Sequence, residues 1–155
     1  MSKSVRRVEA ALTEAGLDVR ILDLGDCRTA EDAARSADCA LDQIAKSMIF
    51  RGQDSGHCLL FLTAGGNRVD PARAAALAGE PLGRADADLV RAETGFAIGG
   101  VAPVGHLRPL RAFWDPRLDD FDVIWAAAGT PRHVFAIAPE ELRDITGAVA
   151  GDFTV

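Results

Sequence analysis

Val5, Val8, Ala11, Leu12 and Ala15 recur at helical spacing, and Gly16 stands where a C-terminal cap belongs, so residues 4–15 are expected to form an amphipathic helix. Val19-Arg20-Ile21-Leu22 reads as a short strand. Thr29-Ala30-Glu31-Asp32 has the pattern of a capping box ahead of an Ala-rich helix reaching about Ala37. Ile44–Arg51 reads as a strand interrupted by Lys46 and Ser47. Cys58–Thr63 reads as a buried strand, and Gly56 between the two favours a hairpin.

Asp70-Pro71 places an N-cap before a proline at the first helical position, for a helix running to Leu77 and stopping at Gly79. Asp86 caps another helix ending near Thr94-Gly95. A glycine-rich segment over 95–105 follows. Leu110–Trp114, Val123–Ala127 and His133–Ile137 are expected as strands, and their short connections suggest antiparallel pairing. Pro139 opens a last helix to Ile145, stopped by Gly147. The whole reads as one α/β domain over 1–155, a mixed, curved sheet flanked by helices, with residues 1–3 and 152–155 frayed.

Net charge is −6 and the pI about 5.0. That argues against gripping long nucleic acid by phosphate neutralisation, though not against holding the end of an RNA strand. No apolar run approaches the roughly 20 residues that span a bilayer. The N-terminus leads into an amphipathic helix rather than a signal segment, so a cytoplasmic protein is expected, with neither membrane nor DNA as partner. Cys27, Cys39 and Cys58 are odd in number and lack CxxC spacing, and His57, His106 and His133 are scattered. Reduced thiols and no metal site are the expectation.

Among 17 basic residues only Lys3 and Lys46 are lysines. Alternation puts Ile44, Met48 and Phe50 on the same side as Lys46, and a lysine on an apolar face is costly unless its head reaches water, an anion or a cleft. Either the stem snorkels or a bulge turns it outward, or Lys46 lines a cleft. A compact ammonium there suits a phosphate or ribose hydroxyl. Gly95–His106 is the densest glycine segment; its amides could converge on one oxygen, or it could be a tight structural turn. It lacks both the GK[ST] ending and GxGxxG spacing. His106 and His133 are the acid–base candidates of the later strands, with a structural role as the other reading. No GxSxG elbow or Cys–His pair supports a nucleophilic triad. Asp119-Asp120 and Glu140-Glu141 read as solvated charges, and Trp114 and Trp125 as core.

Gln43-Ile44-Ala45-Lys46-Ser47-Met48-Ile49-Phe50, the loop Gly99-Gly100-Val101-Ala102-Pro103-Val104-Gly105-His106 and the spacing between them resemble the YbaK/prolyl-tRNA synthetase-associated editing domain family. The resemblance takes in Thr29 to Ala34 and the Ala128-Gly129-Thr130-Pro131 turn, and so covers nearly the whole chain. It implies an α/β fold with a partly barrel-like sheet. It also implies a free-standing deacylase that hydrolyses the ester of a mischarged tRNA, on tRNA-Pro or a related tRNA, without a cofactor. An adaptor of the same fold, binding tRNA or a synthetase without hydrolysis, is the other reading.

On that analogy the catalytic positions are Lys46, which contacts the terminal nucleotide, and Gly99, Gly100 and Val101, which hold the ester carbonyl. Thr29, Ser47, Met48, Pro103, His106, Gly129, Thr130 and His133 fall at substrate-binding positions. The partners implied are the aminoacylated CCA end of a tRNA and an aminoacyl-tRNA synthetase. The tryptophan-bearing segment Leu110–Trp125 is unlike the cysteine-clearing branch, which leaves a small or hydroxylated acyl group such as alanine, serine or threonine.

Overall fold

The computed structural model describes residues 2–155. Ser2 caps α1 (Lys3–Glu14) by accepting the Val5 amide at 3.1 Å, and Val5, Val8 and Leu12 turn inward. After β1 (Ile21–Asp23), Thr29 caps α2 (Ala30–Ala37) by accepting the Asp32 amide at 3.1 Å. The Asp32 carboxylate reaches back to the Arg28 amide rather than to Thr29 itself. The hairpin of β2 (Ile44–Gly52) and β3 (Cys58–Ala64) runs in regular register from Ala45↔Ala64 to Arg51↔Cys58. Beyond it lie α3 (Pro71–Ala78), β4 (Leu82–Arg84), α4 (Ala87–Thr94), β5 (Arg111–Trp114), β6 (Ile124–Ala127), β7 (His133–Ile137), α5 (Pro139–Thr146) and β8 (Val149–Ala150).

These strands form one mixed eight-stranded sheet in the order β1-β7-β6-β2-β3-β5-β8, with β4 joined to β2 alone. The sheet stays open, ending at β1 and β8, so no barrel closes. The pairing expected of the three late strands holds for β6 and β7 only, which are antiparallel. β5 lies across the hairpin from them, parallel to β3 and β8. The reason is burial on both faces: Ala112 and Trp114 enter the main core while Phe113 enters a second cluster, an environment only an inner position of the sheet supplies.

The main core fills one face, where Val8 and Leu12 of α1, Val90 of α4 and Leu142 of α5 meet Leu60, Leu62, Trp114 and Phe135. The opposite face carries two separate clusters. One holds Phe61, Phe113 and Phe153 under Ala74 and Ala78 of α3, with Phe50 at its edge. The other packs Ala33 and Ala34 of α2 on Ile44. Residues 46 and 48 of β2 lie between them, uncovered by either helix.

The C-terminal residues expected to fray are tied down, because Phe153 is fully buried with its ring 5.1 Å from that of Phe61. The Phe153 carbonyl accepts the Asp70 amide at 2.7 Å, and the Val155 amide donates to Arg68 at 2.9 Å. At the other end, Lys3 belongs to α1; Met1 lies outside the described residues. Phe153→Ala should therefore lower stability by about 3–5 kcal/mol, the usual cost of truncating a buried phenylalanine. Urea unfolding measures this, and a loss near zero would mean that the tail is dispensable.

Candidate active site

Strand β2 is forked. Its first residues pair with β6, Ile44↔Trp125 and Ala45↔Ala126. Its last residues pair with β4, from Phe50↔Arg84 to Gly52↔Leu82. Between these the edge facing away from β3 has no strand beside it. The Gly52 amide donates to His57 and the Gln53 amide to Pro81, which fixes the alternation: even-numbered residues of β2 bond β3, odd-numbered ones the far edge. Ser47 therefore directs its main-chain N–H and C=O into the gap.

A cleft of about 500 Å³ opens there. It wraps the free edge of β2, so residues from both faces of the strand line it: Lys46 and Met48 from one, Ala45, Ser47 and Ile49 from the other. Gly99 and Val101 enter from the glycine loop, Thr29 from the cap of α2, and Thr130 and His133 from the far wall. These eight expected site residues (Lys46, Ser47, Met48, Gly99, Val101, Thr29, Thr130 and His133) are thus brought together. Gly100, Pro103, His106 and Gly129 are not among its lining residues.

Gly99 has φ +96°, a left-handed backbone that favours glycine, and nothing lies within 4 Å of where its Cβ would be. The Gly100 amide is spent on Ala97 at 3.0 Å, closing the turn. Gly100 itself allows a close approach, since a Cβ there would sit 2.8 Å from the Thr130 Cα. Among the described residues the Gly99 and Val101 amides donate to no protein group, which leaves them available to a ligand. Pro103 and His106 line a second cavity behind the loop. There His106 Nε2 donates to the Ala102 carbonyl at 2.7 Å, bracing the loop from within. Gly129 packs on the α1 backbone, where a Cβ would meet the Ser4 carbonyl at 2.9 Å.

Arg7 of α1 frames the same loop, a role the sequence did not signal. Its guanidinium donates to the carbonyls of Thr94 (2.6 Å), Gly95 (3.1 Å) and Gly105 (2.7 Å) and lies 4.5 Å over the Phe96 ring. One cation thereby closes the C-terminus of α4 and both ends of the loop.

Lys46 is half-buried, and its Nζ donates to the Asn67 carbonyl at 2.7 Å, leaving further N–H donors for a ligand. Asn67 is held in turn by Asp115, whose buried carboxylate accepts the Asn67 side chain at 2.8 Å, the Ala64 amide at 3.0 Å and the Arg117 amide at 3.0 Å. Burial holds the Lys46 pKa below its ordinary value of 10.5, against the attraction of Glu31, Asp115 and Asp42. Arg28 and Arg84 also line the cleft, and no Asp or Glu does. An acidic protein thus carries a locally cationic cleft, suited to an anionic ligand.

On the far wall Thr130 Oγ1 accepts the amides of Arg132 and His133, so its own hydrogen points to His133 Nδ1 at 2.7 Å. That leaves the proton of a neutral His133 on Nε2, 3.9 Å from Asp23. Trp125, expected as core, packs on the α2 cluster and lines the cleft. Burial beside Glu93 pushes the Cys58 thiol up to about 11. Among the described residues no group of His, Cys, Asp and Glu converges as a metal site, and no helix is long and apolar enough to cross a membrane.

Residues 25–145 match the aminoacyl-tRNA editing domain. The chain belongs to that family. It is 43% identical to a protein whose crystal structure is described as that of a candidate trans-editing enzyme for prolyl-tRNA synthetase, with a TM-score of 0.94 over 100% of this chain and 99% of that one. It is 27% identical to the hypothetical protein APE2540, with a TM-score of 0.87 over 96% of this chain and 99% of that one. It is also 29% identical over 118 residues to the uncharacterised protein YwhH of Bacillus subtilis (strain 168), covering 76% of this chain and 74% of YwhH.

The brace at His106 carries a pH dependence. Burial lowers the His106 pKa from 6.5, so below that pH the unfolded chain binds a proton that the folded one resists. His106 thus contributes a loss of stability as pH falls from 6.5 toward its folded pKa, and no loss above. The fall in Tm between pH 7.5 and 5.5 should be smaller in His106→Gln than in the wild type. Equal falls would show that His106 is not held neutral by the fold.

Proposed function

We propose that this chain is a trans-editing deacylase, hydrolysing the ester between a small amino acid and the terminal adenosine of a mischarged tRNA, tRNA-Pro or a related one. The observation that carries the reading is the meeting, in one cation-lined cleft, of the unspent Gly99 and Val101 amides with the ammonium of Lys46. The amides suit the oxygen of an ester carbonyl as it gains charge, and Lys46 suits the phosphate or ribose of the terminal nucleotide. Membership of the editing family and the description of the 43% identical protein support the same reading, including work alongside a synthetase.

In the reaction, water adds to the ester carbonyl carbon and the negative charge on oxygen is taken by the loop amides. The bond to the ribose oxygen then breaks, and that oxygen leaves with a proton, giving free amino acid and a tRNA with its terminal hydroxyl restored. His133 is the one histidine lining the cleft, and its Nδ1 is engaged by Thr130. Positioning and oxyanion stabilisation therefore supply the rate enhancement; one oxyanion donor is worth roughly 10²–10³ in kcat.

Lys46→Ala should cost about 1.5–3 kcal/mol of transition-state binding, the worth of a hydrogen bond to a charged group, or roughly 10- to 100-fold in kcat/KM. The assay is clearance of tRNA-Pro charged with alanine, serine or threonine; no clearance by the wild type above the spontaneous rate would end the proposal. Because burial lowers the Lys46 pKa, the ammonium is lost earlier on the alkaline side than a surface lysine's. Affinity for an uncharged acceptor-end RNA should therefore weaken as pH rises through that value, and Lys46→Arg should remove the weakening.

A further inference from the structure

Among the described residues, Ser47 Oγ is the one buried side-chain polar atom with no hydrogen-bond partner. Other buried hydroxyls are satisfied within the fold: Thr63 donates to Phe61 at 3.0 Å and Thr94 to Val90 at 2.6 Å. A hydroxyl left unpaired in a protein interior is costly, which makes one on a residue that lines a cleft a candidate ligand contact. Ser47 lines the cleft and stands at the unpaired stretch of β2, so its main-chain groups are open as well.

The surroundings narrow what can meet it. Ser47 shares its face of β2 with Ala45 and Ile49, and on that side the cleft is walled by Val90, Val101 and Ala126 of the main core. A side-chain ammonium would be desolvated among those apolar walls with no lining carboxylate to pair with it. A phosphate or carboxylate would lie among apolar walls, with the cleft's ammonium on the opposite face of the strand. A neutral hydroxyl, able to donate and to accept, fits both the walls and the orphan oxygen.

This rests on the editing reading and deepens it. Val101, whose amide suits the ester carbonyl, is part of the same wall, so the acyl side chain is the part of the substrate next to Ser47. We propose that Ser47 Oγ is a specificity-determining group that hydrogen-bonds the side-chain hydroxyl of a β-hydroxy amino acid, so that seryl and threonyl esters are preferred to alanyl. A site built to hydrogen-bond a substrate hydroxyl discriminates against the analogue lacking it, because the buried partner is then left unpaired.

The test is kcat/KM for seryl-, threonyl- and alanyl-tRNA-Pro with the wild-type protein and Ser47→Ala. Wild type should prefer seryl to alanyl ester by roughly tenfold or more, the worth of one buried hydrogen bond, and Ser47→Ala should collapse that ratio toward one. Thermal melting serves as the control: removing an unpaired hydroxyl should not lower the Tm, so a changed ratio is not a folding defect. Three results overturn the inference. Wild type could clear alanyl-tRNA as fast as seryl-tRNA, which needs no variant to observe. Ser47→Ala could slow both substrates in the same proportion, which would mark a general role in the reaction. Wild type could clear none of the three esters, in which case the editing reading falls and this inference with it.

Discussion

A β-strand can hydrogen-bond two neighbours along its full length, and β2 does so on one side only. Toward β3 the ladder is continuous from Ala45 to Arg51; on the other side β6 leaves after Ala45 and β4 arrives at Phe50. Main-chain groups at that break have no strand partner, and an interior segment in that condition is stable only if water or a ligand completes it. The break also lets residues from both faces of one strand border a single space, which is why Lys46 and Ser47, adjacent in sequence and opposed in direction, line the same cleft. The helices on the outer face respect the same gap. α2 covers Ile44, α3 shelters Phe50, and the two residues between them on that face remain open.

Around the break, charge and backbone are fixed from outside the cleft. Arg7 ties the ends of the glycine loop to α1, and His106 braces its middle, so the Gly99 and Val101 amides are presented by a frame assembled before any ligand arrives. Asp115 plays the same part for Lys46, through Asn67. Preorganised donors gain from not having to reorient as charge develops. The carboxylates that influence Lys46 lie outside the lining, which leaves the cleft cationic in a chain of net charge −6.

Much of this was legible in the sequence where a residue declares its own geometry. Thr29, Asp70 and Asp86 cap the helices they were expected to cap, and the apolar run of β3 is buried throughout. The place of Lys46 on an apolar face left snorkelling and a cleft about equally open, its isolation among arginines favoured the cleft slightly, and the structure puts it in one. Strand pairing was another matter. β4 and β8 span three and two residues, too short to carry a pattern, and the neighbours of β5 depend on burial of both its faces by segments distant in sequence. Without knowing which strands flank β2, the orphaned Ser47 hydroxyl could not be foreseen. Gly100 looked like a donor equal to its neighbours, but the turn it closes consumes its amide; Pro103 and His106 sit behind the loop they belong to.

The central claim is that the acyl–adenosine junction of a charged tRNA sits in the break of β2 against the glycine loop. Titrating the 15N-labelled protein with the 3′-amide analogue of seryl-adenosine, in which nitrogen replaces the ester oxygen, tests it most directly. The account predicts that the amide resonances of Ser47, Gly99 and Val101 move together and saturate at one concentration. Shifts gathered instead around Gly105, Arg108 and Ile145 at the second cavity, with Ser47 unmoved, would contradict it.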